Sequence, residues 1–150
     1  ILTHETSAIV CLDTFDFSGQ GFFDSCKTSD GLSIEERFQH NIEKTGSSHK
    51  VKTIIGPSQI TLRSLPLSHF DFIYIDGSHV ARHVLEDAVL SWRLLKTGGI
   101  MTFDDYDWED QLIPLMRPKI AIDSFLNVYK ESYNLLRQDY QVTIKKTGND

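Results

Sequence analysis

The sequence predicts an α/β domain: a mostly parallel sheet that closes on an antiparallel strand pair. Three observations carry this. Apolar runs of strand length occur at Ala8–Leu12, Val51–Ile55, Phe70–Ile75 and Ile100–Phe103, and segments with helical spacing lie between them. Strands that alternate with helices build parallel sheets covered on both faces. The runs are nearly continuous rather than alternating, as strands buried on both faces are. The last two strand-like segments, Tyr133–Arg137 and Tyr140–Lys146, follow each other around a tight turn at Gln138-Asp139. That arrangement places an antiparallel pair at the sheet edge.

The elements can be justified in order. Ala8–Leu12 ends at Asp13 and reads as the first strand of this chain. Thr14 to Leu32 is rich in Gly, Ser and Asp, carries Phe15, Phe17, Phe22 and Phe23, and reads as a long loop. Loops of that length in a compact domain are often functional. Ser33-Ile-Glu-Glu36 is a capping box, in which Ser accepts from the backbone three residues on and Glu returns the bond. Ile34, Phe38 and Ile42 continue that helix on one face, and Gly46 suits its end. Val51–Ile55 is the next strand, followed by the turn Gly56-Pro57-Ser58-Gln59 and a short helix. After Phe70–Ile75, the residues Val84, Leu85, Ala88, Val89, Trp92 and Leu95 fit a period of 3.6 closely. This helix is expected to stop at Gly98-Gly99, before the strand Ile100–Phe103. Pro114 and Pro118 punctuate an irregular segment, and Ile122, Phe125, Leu126 and Tyr129 form one more helical stripe.

A chain of 150 residues suits one domain with a real core. Its net charge of −6 argues against nucleic acid as a partner, because phosphate binding needs a basic face. No apolar run approaches membrane-spanning length, so no membrane partner is expected. Cys11 and Cys26 lack zinc-type spacing and suggest no disulfide framework, which points to the reducing cytoplasm. The start, Ile1-Leu-Thr-His, reads like the tail of a helix running straight into a strand, and a piece is expected upstream.

The chemistry concentrates where strands end. In open α/β sheets, ligands bind outside the carboxyl ends of the strands. Asp13 follows a strand and is placed to accept hydrogen bonds from a ribose; the plain alternative is a turn aspartate. Gly56 permits a close backbone approach, and Ser58 and Gln59 can hydrogen-bond the edge of a heterocycle, although strand-Gly-Pro is also ordinary turn chemistry. Asp76, Asp104 and Asp105 would converge at one sheet edge, where carboxylates repel unless a cation or hydrogen-bond donors offset them. Oxygen-only ligands suit Mg²⁺ or another hard divalent cation; the alternative is that these residues cap the helices that follow. His79 lies three residues after Asp76 and suits a general base near neutral pH; the alternative is a histidine at a helix start. His4, His40, His49, His69 and His83 show no partner arrangement and are expected at the surface. Gly19-Gln-Gly21 lacks the third glycine and the helix start of a phosphate loop.

Taken together, Phe70-Asp-Phe-Ile-Tyr-Ile-Asp-Gly-Ser-His79, Leu94-Leu-Lys-Thr-Gly-Gly-Ile100 and Phe103-Asp-Asp-Tyr106 resemble class I S-adenosylmethionine-dependent methyltransferases. The nearest subgroup is that of small-molecule O-methyltransferases with an Asp-Gly-x-His motif, and the resemblance runs from about Ala8 to Lys146. It implies a Rossmann-like sheet with strand order 3-2-1-4-5-7-6 and S-adenosylmethionine as cofactor. It implies that Asp13 binds the ribose. It also implies that Gly56, Ser58 and Gln59, which resemble the Gly-Ala-Ser-Gln turn of catechol O-methyltransferase-like enzymes, contact the adenine. Asp76 would serve the cofactor side of the pocket. Asp76, Asp104 and Asp105 resemble the group's metal-binding positions, whose third ligand is often Asn, and His79 would be the base. The chain departs from the family at its start. It begins at what resembles the family's second strand, so the first strand and its glycine-rich turn are expected to be absent from this stretch, with strands two and four either pairing directly or leaving a gap for another chain to fill.

Three functions follow as expectations. The first is methyl transfer to a hydroxyl of a small molecule, assisted by a divalent cation. The second is a non-catalytic remnant that keeps the fold, binds no cofactor and forms homodimers through an exposed β-edge. The third is a metal-dependent small-molecule enzyme of the same fold that transfers no methyl group.

Overall fold

The structure is a computed structural model and describes residues 4–16, 31–108 and 113–148. It divides into two compact units, Ile1–Thr61 and Leu62–Asp150. Residues 17–30, which hold most of the Phe-rich loop, Cys26 and the Gly19-Gln-Gly21 sequence, lie outside the described residues.

In the first unit, β1 (Ile9–Asp13) pairs in parallel with β2 (Val51–Ile55), with Asp13 opposite Ile55. Their connection contains α1 (Ile34–Lys44). The capping box at its start is formed as the sequence predicts: the Glu36 N–H donates to Ser33 Oγ at 3.1 Å, and the Ser33 N–H donates to Glu36 Oε2 at 2.7 Å. After Thr45, Gly46 adopts φ +68°. Cys11 is a free thiol within β1, and burial, with the nearby Asp13 carboxylate, raises its pKa. The short α2 (Ser58–Thr61) follows the turn at Gly56-Pro57.

The second unit has a four-stranded sheet in the order β3-β4-β6-β5. Here β3 (Phe70–Ile75) and β4 (Leu95–Phe103) are parallel. The last strands, β5 (Tyr133–Gln138) and β6 (Val142–Lys146), form the predicted antiparallel hairpin, and β6 also pairs antiparallel with β4. Two helices, α3 (Ala81–Leu94) and α4 (Pro118–Val128), supply the rest of the core. Pro118 occupies the first turn of α4, where its missing N–H costs no hydrogen bond. Trp92, Phe103, Phe125, Met101, Ile122, Val142 and Ile144 are fully buried. Of the predicted stripe, Val84, Ala88 and Trp92 form the face that packs and Leu85 lies against it, whereas Val89 is exposed and Leu95 belongs to β4.

With β1 and β2 standing second and third in the family's numbering, the two sheets reproduce the pairings 3-2 and 4-5-7-6. Within the first unit β1 is hydrogen-bonded to β2, and within the second β3 to β4. One boundary differs from expectation. Helix α3 ends at Leu94, and β4 begins at Leu95 rather than after Gly98-Gly99. Leu95 is fully buried opposite Phe70, and pairing resumes at Ile100 opposite Phe72. Residues 96–99 loop out of the ladder, and Gly98 takes φ +86° inside that bulge. A side chain on Gly99 would lie 2.7 Å from Leu95 Cδ1. The two glycines therefore serve a bulge, not a helix end.

Candidate active site

In the first unit, Asp13 and Gly56 meet at the carboxyl end of the parallel pair. The Gly56 N–H donates to the Asp13 carbonyl at 3.0 Å. Gly56 has φ +146°, a conformation that a side chain resists, and a Cβ there would meet Thr61 Cγ2 at 3.2 Å. Asp13 Oδ1 accepts the Phe15 N–H at 2.8 Å, so the turn reading of this aspartate holds. Its Oδ2 makes no hydrogen bond among the described residues, which fits a carboxylate that also receives a ribose hydroxyl. Ser58 and Gln59 are half-buried in the first turn of α2.

In the second unit, Asp76, His79, Asp104 and Asp105 line one small pocket together with Ser78 and Phe103. The fold brings them there by running β3 and β4 in parallel. The Asp104 N–H donates to the Ile75 carbonyl at 2.9 Å, which carries the ladder one step past the strand ends. Asp105 then turns into the left-handed region at φ +56°. Aspartate tolerates that region better than most residues, and such strain collects at functional sites.

Hydrogen-bond donors meet both neighbouring carboxylates. Asp104 accepts the Tyr74 hydroxyl at Oδ2, and at Oδ1 it accepts Gln141 Nε2 at 3.1 Å and the Asp105 N–H at 2.9 Å. Burial pushes Asp104 upward, but the bonds from Tyr74, Gln141 and the Asp105 N–H outweigh it and hold the carboxyl below its ordinary range. Asp105 accepts His79 Nε2 at 2.9 Å through one oxygen and the Tyr140 hydroxyl at 2.8 Å through the other. Hydrogen bonding to these carboxylates pushes Tyr74 and Tyr140 each up to about 12. Trp108 stacks on the His79 ring, with centroids 4.4 Å apart and planes 6° from parallel.

This arrangement bears on the cation. Three carboxylates offer the oxygen ligands that a hard divalent ion takes. Yet the side chains of Tyr74, Gln141, His79 and Tyr140 already occupy the oxygens of Asp104 and Asp105. Among the described residues, no group of three or more acidic, imidazole or thiol side chains is arranged to hold a metal. As folded here, the residues do not fit a metal centre.

Sequence reasoning missed Tyr74, Trp108, Tyr140 and Gln141. Tyr74 could have been found, since it alternates with Ile73 and Ile75, which pack on the core, and stands two residues before Asp76. Tyr140 and Gln141 reach the site only through the β5–β6 turn. His83, expected at the surface, is partly buried and lies 3.2 Å from Ser78 Oγ through Nδ1. His4, His40, His49 and His69 are exposed.

The sequence pattern of a methyltransferase domain matches residues 1–106. The chain belongs to the methyltransferase-domain family. Solved structures agree in fold. The O-methyltransferase NovP is 17% identical with a TM-score of 0.68, over 94% of this chain and 60% of NovP. The O-methyltransferase TomG of Streptomyces achromogenes, a tomaymycin-synthesis enzyme solved in complex with SAM, is 15% identical with a TM-score of 0.64, over 94% of this chain and 73% of TomG. In sequence, the uncharacterized protein R132 of Acanthamoeba polyphaga mimivirus is 33% identical over 63 residues, which make up 40% of this methyltransferase-family chain and 28% of R132. The chain thus spans about 60% of NovP and matches a little over a quarter of the viral protein. No helix among the described residues is long and apolar enough to cross a membrane.

Proposed function

We propose that this methyltransferase-family chain takes part in S-adenosylmethionine-dependent methyl transfer to a hydroxyl of a small molecule. The observation that carries the reading is the His79–Asp105 pair, set among Asp76 and Asp104 at the carboxyl end of β3 and β4. That is where an α/β sheet of this kind binds ligands.

The bound cofactor supplies an electrophilic methyl group on a sulfonium. Everything else is the work of the chain. In the first unit, Asp13 Oδ2 would hold a ribose hydroxyl, Gly56 would let the backbone come close, and Ser58 and Gln59 would meet the adenine edge; in the second unit, Asp76 lines the pocket beside His79 and would serve the cofactor side of it. His79 Nδ1 makes no hydrogen bond among the described residues, and it would take the proton from the acceptor hydroxyl. His79 would take that proton as the oxygen accepts the methyl group of a bound cofactor, which leaves as its neutral thioether. The imidazolium so formed would be stabilised by Asp105. Positioning and a deprotonated oxygen are the main requirements.

No step of this reading runs through a metal. Mg²⁺ at Asp76, Asp104 and Asp105 would have to displace the donors on Asp104 and Asp105.

Thermal unfolding tests the reading. S-adenosylhomocysteine at a hundredfold excess over its Kd should stabilise by about 2.7 kcal/mol, a rise of several degrees. Mg²⁺ alone should add little; a comparable rise with Mg²⁺ would show that the acidic edge does open to a cation. No shift at millimolar cofactor, together with a dimer by light scattering, would instead favour the non-catalytic remnant.

A further inference from the structure

The His79 ring is met directly by the segment that follows β4 and, through Asp105, by the β5–β6 turn. Its edge meets Asp105, at the end of β4. Its face meets Trp108, three residues further on. Asp105 is itself held by Tyr140, which lies in the β5–β6 turn. The turn is tied to the same place by the main chain, since the Tyr106 N–H donates to the Tyr140 carbonyl at 2.9 Å.

We propose that Asp105, Tyr140 and Trp108 are positioning residues that set the tautomer and ring plane of His79, with Asp105 serving as the histidine's partner rather than as a metal ligand. The proposal rests on the reading of His79 as the base, and it adds what makes that histidine a directed one.

The chemistry follows from donor and acceptor roles. A phenol facing a carboxylate donates its hydrogen, so Tyr140 fills one oxygen of Asp105 and leaves the other as an acceptor. That oxygen takes the hydrogen of Nε2, and the lone pair of a neutral ring then sits on Nδ1. Without the carboxylate, either nitrogen could carry the proton, and part of the protein would present the wrong one. Trp108 removes the remaining freedom: a ring fixed only at one edge can still rotate about the Asp105 hydrogen bond, and a parallel indole 4.4 Å away resists that rotation.

Side-chain NMR of the whole chain labelled with ¹⁵N-histidine tests this without any substrate. The His79 signals are identified by their loss in His79→Gln. The expected spectrum has Nε2 protonated and Nδ1 bare, with the ring protons shifted upfield by the indole. Asp105→Asn keeps the size of the side chain and tolerates the left-handed backbone. Its amide oxygen would face the Tyr140 hydroxyl and its NH₂ would face the imidazole. The His79 tautomer should therefore switch to protonated Nδ1, while melting confirms an intact fold. Tyr140→Phe alone leaves the carboxylate and should keep Nε2 protonated, whereas combined with Asp105→Asn it removes the hydroxyl that orients the amide and should leave a mixture of tautomers. Trp108→Ala should abolish the upfield shift and leave the tautomer unchanged. A His79 tautomer that is indifferent to Asp105→Asn, or ring protons at ordinary positions in the unsubstituted protein, would overturn the proposal. The functional reading fails separately: a switched tautomer in a protein that S-adenosylhomocysteine does not stabilise would leave the positioning intact and remove the methyl transfer.

Discussion

At the scale of single residues, the acidic edge is balanced by hydrogen bonds, and that balance has a pH signature. Tyr74 and Tyr140 are pushed from the ordinary 10.0 to about 12 because each donates to a carboxylate that would repel a phenolate. A folded-state pKa raised above the unfolded value marks stabilisation that is complete below about pH 10. That stabilisation is lost as the pH rises towards about 12. Asp104 runs the other way. Its carboxyl lies below the ordinary range, so its contribution is present at neutral pH and is lost as the pH falls through that depressed value. Ultraviolet titration of the folded protein should therefore show Tyr74 and Tyr140 ionising only near pH 12. Tyr74→Phe should remove one late step and leave that of Tyr140. If every tyrosine ionised near 10, the donors would not be engaged as described. The sequence did show that Asp76, Asp104, Asp105 and His79 share an edge, because strand ends and their spacing are local facts. It did not show what offsets the charge. The choice between a cation and donors depended on Tyr140 and Gln141, whose approach is set by a turn more than 30 residues away.

At the scale of elements, the end of α3 shows the same division between local and distant causes. The periodicity of Val84, Ala88 and Trp92 identified the helix and its buried face. The glycines at 98 and 99 then suggested its end, because glycine after a periodic run is the usual stop signal. The helix stops earlier for a tertiary reason: burying Leu95 against the sheet requires an extended backbone there, with φ −76° and ψ 132°. The carbonyls left at the helix end are met by Lys146 from β6. Its buried ammonium donates to the Trp92 carbonyl at 2.8 Å and to that of Leu95 at 3.2 Å, and it lies 4.7 Å from the Trp92 ring centroid. A cation at a helix C-terminus also interacts favourably with the helix dipole. No sequence pattern reveals a cap that lies 54 residues from the carbonyl it serves. Lys146→Met keeps most of the side-chain bulk and strands the carbonyls in a buried place. It should cost about 1–3 kcal/mol of stability in urea unfolding. A loss within about 0.5 kcal/mol, typical of a surface change, would mean that the carbonyls find other donors.

At the scale of the whole molecule, burial is divided unequally. Among the described residues, every buried hydrophobic side chain belongs to the second unit, from Leu62 to Ile144. None of the described residues of the first unit falls in the buried class: β1, β2 and α1 are half-buried or exposed throughout. The alternation of apolar runs and helical stripes made the mostly parallel sheet legible, while the strand order, with β1 beside β2 and β3 beside β4, was what the resemblance to the methyltransferase family implied. The inequality was not legible, because Ile9–Leu12 and Val51–Ile55 are as apolar as the strands of the second unit. An apolar run states what could be buried, and the packed partners decide what is. Local opening costs least where few apolar contacts must be broken, so amide hydrogen exchange should separate the two units. Amides of α3, of the pairing between β3 and β4 and of β6 should exchange slowest, close to the rate set by global unfolding. Amides of β1, β2 and α1 should exchange through smaller openings, faster by orders of magnitude. S-adenosylhomocysteine held by Asp13 and Gly56 should slow the amides around Asp13 and Gly56 in the first unit, because a ligand that binds only the closed form adds its binding free energy to the cost of opening. Equal protection of the two units before ligand, or no added protection around Asp13 and Gly56 after it, would place the stabilising core or the cofactor contacts elsewhere.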